Sequence, residues 1–139
     1  MTRLPLRHGV LLIAAGGALG AVLRWVLSDA WRTSSGGFPW TVFGINVAGS
    51  ALLALLPAVP AVRRSPGLAL FLGTGLLGGF TTMSTASVET VQLLRGDHPA
   101  TALAYAAGTL LCAVGAALLV DRLSTPEDRL AFEDEEGDE

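Results

Sequence analysis

Cysteine, histidine and charge are all scarce in this sequence, and each scarcity closes off a class of function. The single cysteine, Cys112, falls in an apolar run, so neither an intramolecular disulfide nor a cysteine metal cluster can form. It reads as a small packed residue. The two histidines, His8 and His98, lie near the N-terminus and in a connecting segment, and they pair neither as metal ligands nor as a catalytic base. No nucleophile stands with a base and an orienting acid, so an enzyme is not expected, and neither is a nucleic-acid partner. Charged residues make up 15% of the chain against 51% hydrophobic ones, a balance outside that of ordinary soluble domains. Before the C-terminal tail no polar stretch exceeds a short loop, which leaves no room for a separate aqueous domain and makes the bilayer the expected solvent. No cleavable signal is expected either. The first apolar run is too long and leads into Arg24 and Trp25 rather than a small-residue cleavage site, so it is expected to stay as the first span.

The net charge of −3 is a property of the tail, because eight of the twelve acidic residues lie after position 126. The remainder is mildly basic. A tail so acidic and so short of large apolar residues is expected to be solvated and disordered. The expected organisation is a four-helix transmembrane domain over residues 1–122 and an acidic cytoplasmic tail over 123–139.

Hydropathy places spans at 9–27, 40–62, 67–94 and 99–120, each near or above the ~20 residues that cross a bilayer core. They must be helices, because so few strands could not close a barrel and would leave backbone groups unpaired in lipid. The connections 28–39, 63–66 and 95–98 are short and hold turn-forming Gly, Pro, Ser and Asp, so neighbouring helices run antiparallel. Trp25, Trp31 and Trp40 cluster around the first connection, which places it at a membrane surface.

Small residues recur at four-residue spacing, as in Gly16/Gly20 and Gly75/Gly79. Such stripes allow close helix approach in lipid, either within the chain or between two copies, although glycine is also simply common in membrane helices. The segment Gly73-Thr74-Gly75-Leu76-Leu77-Gly78 matches the dinucleotide-binding glycine pattern letter for letter. No strand precedes it, and the only acid near the right distance is Asp97 in a loop, so membrane packing explains it better.

The third span stands apart. Gly78-Gly79-Phe80-Thr81-Thr82-Met83-Ser84-Thr85-Ala86-Ser87 sets two glycines and five hydroxyls at mid-membrane. Its 28 residues would reach about 42 Å as one helix, beyond a ~30 Å core, so the span tolerates a break. Non-helical backbone at this depth is allowed where protein buries it or a wet cavity borders it. Freed carbonyls there can hold a cation, and hydroxyls and helix N-terminal N–H groups can attract an anion. The plainer alternative is that the hydroxyls only bond back to their own helix. Arg24, Asn46, Glu89 and Tyr105 are the other polar groups within or near the spans, and intramembrane polar groups are costly enough to be functional candidates. Arg24 and Glu89 lie near span ends, where snorkelling or a structural ion pair is an equal explanation. At 100° per residue Thr82, Thr85 and Glu89 share one helix face, a polar track from the break toward one surface.

These residues resemble the small bacterial fluoride channels of the Fluc or CrcB family. The resemblance rests on Gly16-Gly17-Ala18-Leu19-Gly20 with Arg24 in the first span, and on Thr41 through Asn46 to Gly49 in the second. In the third it rests on Gly78-Gly79-Phe80-Thr81-Thr82 through Ser84-Thr85 to Ser87 and Glu89. It implies an antiparallel dimer in the cell membrane with two narrow pores and a central structural sodium ion, held by the backbone carbonyls of Gly78 and Thr81. It implies further that Asn46 donates to fluoride, that Arg24 supports the pore vestibule, that Ser84 borders the pore, and that Thr85, Glu89 and Tyr105 belong to a polar track. A fluoride pore must replace a tight hydration shell with close N–H and O–H donors and still release the ion. One departure stands out. Met83 and Ala86 occupy pore positions where the family has phenylalanine, whose ring edges carry partial positive charge.

With four spans the termini share one side, which carries Arg3, Arg7, Arg63, Arg64, Arg122 and Arg129 against Arg32 and Arg95 on the other. The positive-inside rule then expects cytoplasmic termini. An antiparallel homodimer needs near-balanced charge, so this bias favours a heterodimer with an oppositely oriented second subunit. The expected function is passive fluoride export that lowers cytoplasmic fluoride. Two rivals remain: a non-conducting or regulatory subunit of a heterodimeric channel, and a small four-helix multidrug antiporter. The latter wants a carboxylate in the first span, and residues 9–27 hold none.

Overall fold

In the computed structural model residues 5–34 and 36–123 are described, and all their regular structure is helical. Helix α1 (Leu6–Ala30) is followed by α2 (Trp40–Leu55), a 3-10 turn (Leu56–Ala58) and a short α3 (Pro60–Arg63). The third span is composite: α4 (Pro66–Ala69), a π-helical stretch (Leu70–Leu77), α5 (Gly78–Phe80) and, after a break, α6 (Met83–Arg95). The last helix, α7, runs from Pro99 to Leu123. Among the described residues four stretches are long and apolar enough to cross a membrane: Leu6–Ala30, Trp40–Ala58, Pro66–Arg95 and Pro99–Val120. The acidic tail beyond residue 123 lies outside the described residues.

The second span is shorter than the hydropathy expectation, which carried it to residue 62. Pro57 lies in the 3-10 turn with Leu56 before it still helical, and Val59, ahead of Pro60, is extended at φ −88° and ψ 112°. Proline lacks an N–H donor and disfavours the helical region for its predecessor, so apolar character outlasts the helix.

Two packing systems share the fold. In one, α1 lies against the first half of the third span, and the glycine stripes of both meet face to face. A Cβ on Gly16 would lie 2.3 Å from the Phe71 carbonyl oxygen, one on Gly20 2.1 Å from that of Leu76, and one on Gly79 2.4 Å from that of Gly17. Backbones this close exclude any side chain, so these stripes serve packing within the chain. In the other system, α2, α6 and α7 enclose a core of Val42, Ala86, Leu93, Ala102 and Tyr105, with Phe38 and Phe43 against it. Large apolar side chains such as Leu11, Leu103 and Leu111 face outward, as expected where lipid is the solvent. Trp25, Trp31 and Trp40 are exposed around the first connection, which the Thr41 hydroxyl ties by donating to the Trp31 carbonyl at 2.6 Å.

Candidate functional site

The break between α5 and α6 is the junction of the two systems. Thr81 (φ −74°, ψ 156°) and Thr82 (φ −154°, ψ 117°) are extended. Helix α6 restarts at Met83 under a side-chain cap, the Thr82 hydroxyl accepting from the Thr85 N–H at 3.1 Å. Such caps occupy donors that a helix start leaves unpaired.

The loose ends of the break are met from three sides. Asn46 on α2 donates from Nδ2 to the Thr82 carbonyl at 3.0 Å and accepts the Thr82 N–H on Oδ1 at 2.8 Å. Arg24 on α1 donates from Nε to the Gly79 carbonyl at 3.3 Å. The Thr81 N–H and hydroxyl both reach the Leu77 carbonyl at 3.0 Å. Glycine at position 49 leaves room for this approach of α2: a Cβ there would sit 2.4 Å from Thr81 Cγ2.

The hydroxyls divide into two groups. Thr81, Ser87 and Thr90 bond back to their own span, the last two to the Met83 and Ala86 carbonyls. The Thr82 hydroxyl instead donates to that of Thr85 at 3.0 Å and lies 3.2 Å from that of Ser84. Further along α6, Glu89 Oε2 accepts from the Tyr105 hydroxyl at 2.5 Å. Tyr105 is 0% exposed, and Phe38 meets its ring edge-on at 5.4 Å.

Two openings flank this polar line. A groove of about 450 Å³ is bordered by Asn46, Gly78, Thr81, Thr82, Met83 and Ala86, with α7 as the far wall. A cleft of about 700 Å³ lies between the first and third connections, with Arg32, Glu89, Gln92 and His98 on its walls. Met83 and Ala86, three positions apart, have different fates: Met83 is 72% exposed and Ala86 only 6%, one on the open side of the groove and the other in the core. Among the described residues no three His, Cys, Asp or Glu side chains converge as a metal site.

The sequence profile of the family described as "CrcB-like protein, Camphor Resistance (CrcB)" matches residues 11–120. The chain belongs to the CrcB family. It is 45% identical over 106 residues to the fluoride-specific ion channel FluC 2 of Streptomyces avermitilis, covering 73% of this chain and 65% of that longer protein. To a fluoride-specific ion channel FluC of Thermus thermophilus it is 44% identical over 115 residues, 81% of this chain and 92% of that one. The match to the FluC of Paracoccus denitrificans is 40% over 120 residues and spans 84% and 97% of the two chains. With four membrane-length apolar helices and channel-named relatives, this CrcB chain is a multi-pass membrane protein.

Within this CrcB fold the site residues singled out from sequence fall into two places. Arg24, Asn46, Gly78, Thr81, Ser84 and Thr85 gather at the break or one turn beyond it, and Glu89 and Tyr105 meet at the cleft end. Several neighbours escaped the sequence reading. Thr109 lines the groove and donates from its hydroxyl to the Tyr105 carbonyl at 2.7 Å. Ser50 and Thr90 also face the groove, and Gln92 and His98 face the cleft. For Thr109 a signal existed, a hydroxyl four residues beyond Tyr105 in an apolar helix. For His98 position alone misled, since a loop residue also walls the cleft.

Proposed function

We propose that this CrcB chain is a subunit of a fluoride-specific channel that lets the anion leave the cell passively and so lowers cytoplasmic fluoride. The observation that carries the reading is the interrupted third span, where the Asn46 amide and the Thr82, Ser84 and Thr85 hydroxyls assemble beside a groove at membrane depth. The Nδ2 atom has a second hydrogen beyond the one given to Thr82. That donor and the hydroxyls can take over from water around a small, strongly hydrated anion. A negative interior drives the anion outward with about 2.3 kcal/mol per 100 mV. Glu89 and Tyr105, beside the cleft, continue the polar line toward the surface.

The groove is open along exposed Met83, and a second subunit in the opposite orientation would close it. The residues of the break fit a structural sodium ion. Thr82 gives its N–H to Asn46 rather than to Gly78, and Gly78 and Thr81 both border the groove, so neutral carbonyls of the kind that bind such cations in broken membrane helices are on offer. Two subunits would double the donor set. The arginine bias toward the side of the termini supports cytoplasmic termini and a separate partner chain.

A second reading has its own support. Met83 presents a thioether and Ala86 is buried, so neither offers a ring edge to an anion, as befits the silent subunit of a heterodimer. Fluoride efflux from liposomes separates the two. The chain alone should conduct poorly and gain flux with its partner or on Met83→Phe, while Ala86→Phe should overpack the core and cost about 1–3 kcal/mol. Robust, selective efflux from the purified chain alone would overturn the heterodimer. No fluoride flux in any combination would overturn the channel.

A further inference from the structure

We propose that Asn46 is the positioning residue of the break, a side chain standing in for a strand of backbone that keeps the third span unwound and the Gly78 carbonyl free. In a continuous helix the Thr82 N–H would donate to the carbonyl four residues back, that of Gly78. Here it donates to Asn46 Oδ1 at 2.8 Å, while the Thr82 carbonyl accepts Asn46 Nδ2 at 3.0 Å. The carboxamide thus completes the paired N–H and C=O exchange that two residues make across an antiparallel ladder.

Burial makes the exchange matter, since Asn46 and Thr82 are each 8% exposed. Buried to this degree beside apolar helices, an unpaired Thr82 N–H is costly, and the two partners within its reach are Asn46 and the helix. The helix is close at hand. The Thr81 N–H already bonds the Leu77 carbonyl in helical fashion, so rewinding would start at Thr81 and Thr82, whose turn from extended to helical torsions re-aims α6 against α2 and α7. Removing the carboxamide should therefore close the break, return the Thr82 N–H to Gly78 and withdraw that carbonyl from the groove. The clamp rests on geometry alone, and its consequence for ion flux rests on the function proposed above.

The sequence makes the clamp measurable, because Asn46 is its only asparagine and Thr81-Thr82 its only adjacent threonine pair. Asparagine labelled with 13C at Cγ, together with threonine labelled at the carbonyl carbon and nitrogen, gives a single Thr–Thr backbone signal and a single carboxamide for solid-state NMR in bilayers. The unaltered channel should show the Asn46 Cγ to Thr82 nitrogen contact and a Thr81 carbonyl shift in the extended range. In Asn46→Leu the Thr81 shift should move to the helical range and fluoride efflux should be lost. Absence of the contact in unaltered protein overturns the proposal whether or not the variant folds, as does a variant whose Thr81 shift stays extended. A variant that rewinds yet passes fluoride at the unaltered rate leaves the clamp standing and overturns the role of the break in permeation.

Discussion

The half of the molecule built on α1 and the half built on α2, α6 and α7 solve the same problem, association in a solvent as apolar as the side chains, by opposite means. The first packs backbone against backbone, with Gly16 and Gly20 set against the carbonyls of Phe71 and Leu76. Dispersion at close range is what remains when the hydrophobic effect between helices is gone. The second half uses side-chain hydrogen bonds, among them the Asn46 pair with Thr82 and the Glu89–Tyr105 contact. One half meets along bare backbone and the other has polar groups beside two openings. The break joins them, with Arg24 reaching it from the first half and Asn46 from the second. The glycine-packed half thus meets the end of α5 through Arg24, while the polar half borders the groove.

The comparison breaks most sharply at Gly20. A valine there must displace the Leu76 carbonyl and the Phe80 N–H, which lie 2.1 and 2.8 Å from the Cβ position. Backbone atoms cannot rotate away as a side chain can, so the cost should match or exceed the upper end of the ~1–3 kcal/mol seen for overpacked cores. Gly20→Val should therefore abolish recovery of monodisperse protein on size-exclusion chromatography in detergent. Normal recovery would mean that the two helices are not in backbone contact.

A smaller effect is expected in the polar half. Tyr105→Phe keeps the ring against Phe38 but leaves Glu89 without the hydroxyl donor. An acceptor stripped of its partner costs about 1–3 kcal/mol, so the variant should assemble with a lowered thermal midpoint. If the pair belongs to the ion path, fluoride efflux should fall more than tenfold. Unchanged efflux with a lowered midpoint would make the contact structural only.

How far each half could be read in the sequence follows from the same contrast. The glycine stripes are periodic, so their four-residue spacing announced a close approach, though not that α1 and the third span would meet each other. Gly78-Gly79 beside five hydroxyls marked the break, because each residue type there disfavours an uninterrupted lipid-facing helix. The end of α2 at Leu55 was obscured because hydropathy averages over Pro57 and Pro60. Nothing in Leu70–Leu77 separates a π-helix from an α-helix, since both are apolar and hydrogen-bonded. The polar half was legible as a list of polar groups and one track along α6, without its partners. Spacing on one helix cannot say that Asn46 would spend its Oδ1 on the Thr82 backbone, or that Ala86 would be buried while Met83 is not, because both depend on neighbouring helices.

The mildest test uses a glycine without close neighbours. On α7 a Cβ at Gly115 would meet nothing within 4 Å inside the chain, in contrast to the glycines of α1. If that face touches only lipid, Gly115→Ala should stabilise the helix by up to about 1 kcal/mol, because alanine loses less backbone freedom than glycine. If a second subunit packs its backbone there, the same methyl should instead weaken the dimer while leaving the single chain folded. Measuring the dimer–monomer equilibrium in bilayers and the thermal midpoint together gives both signs. A weakened dimer would extend glycine-mediated contact from the α1 half to the subunit interface, and an unchanged dimer with a raised midpoint would confine it to α1.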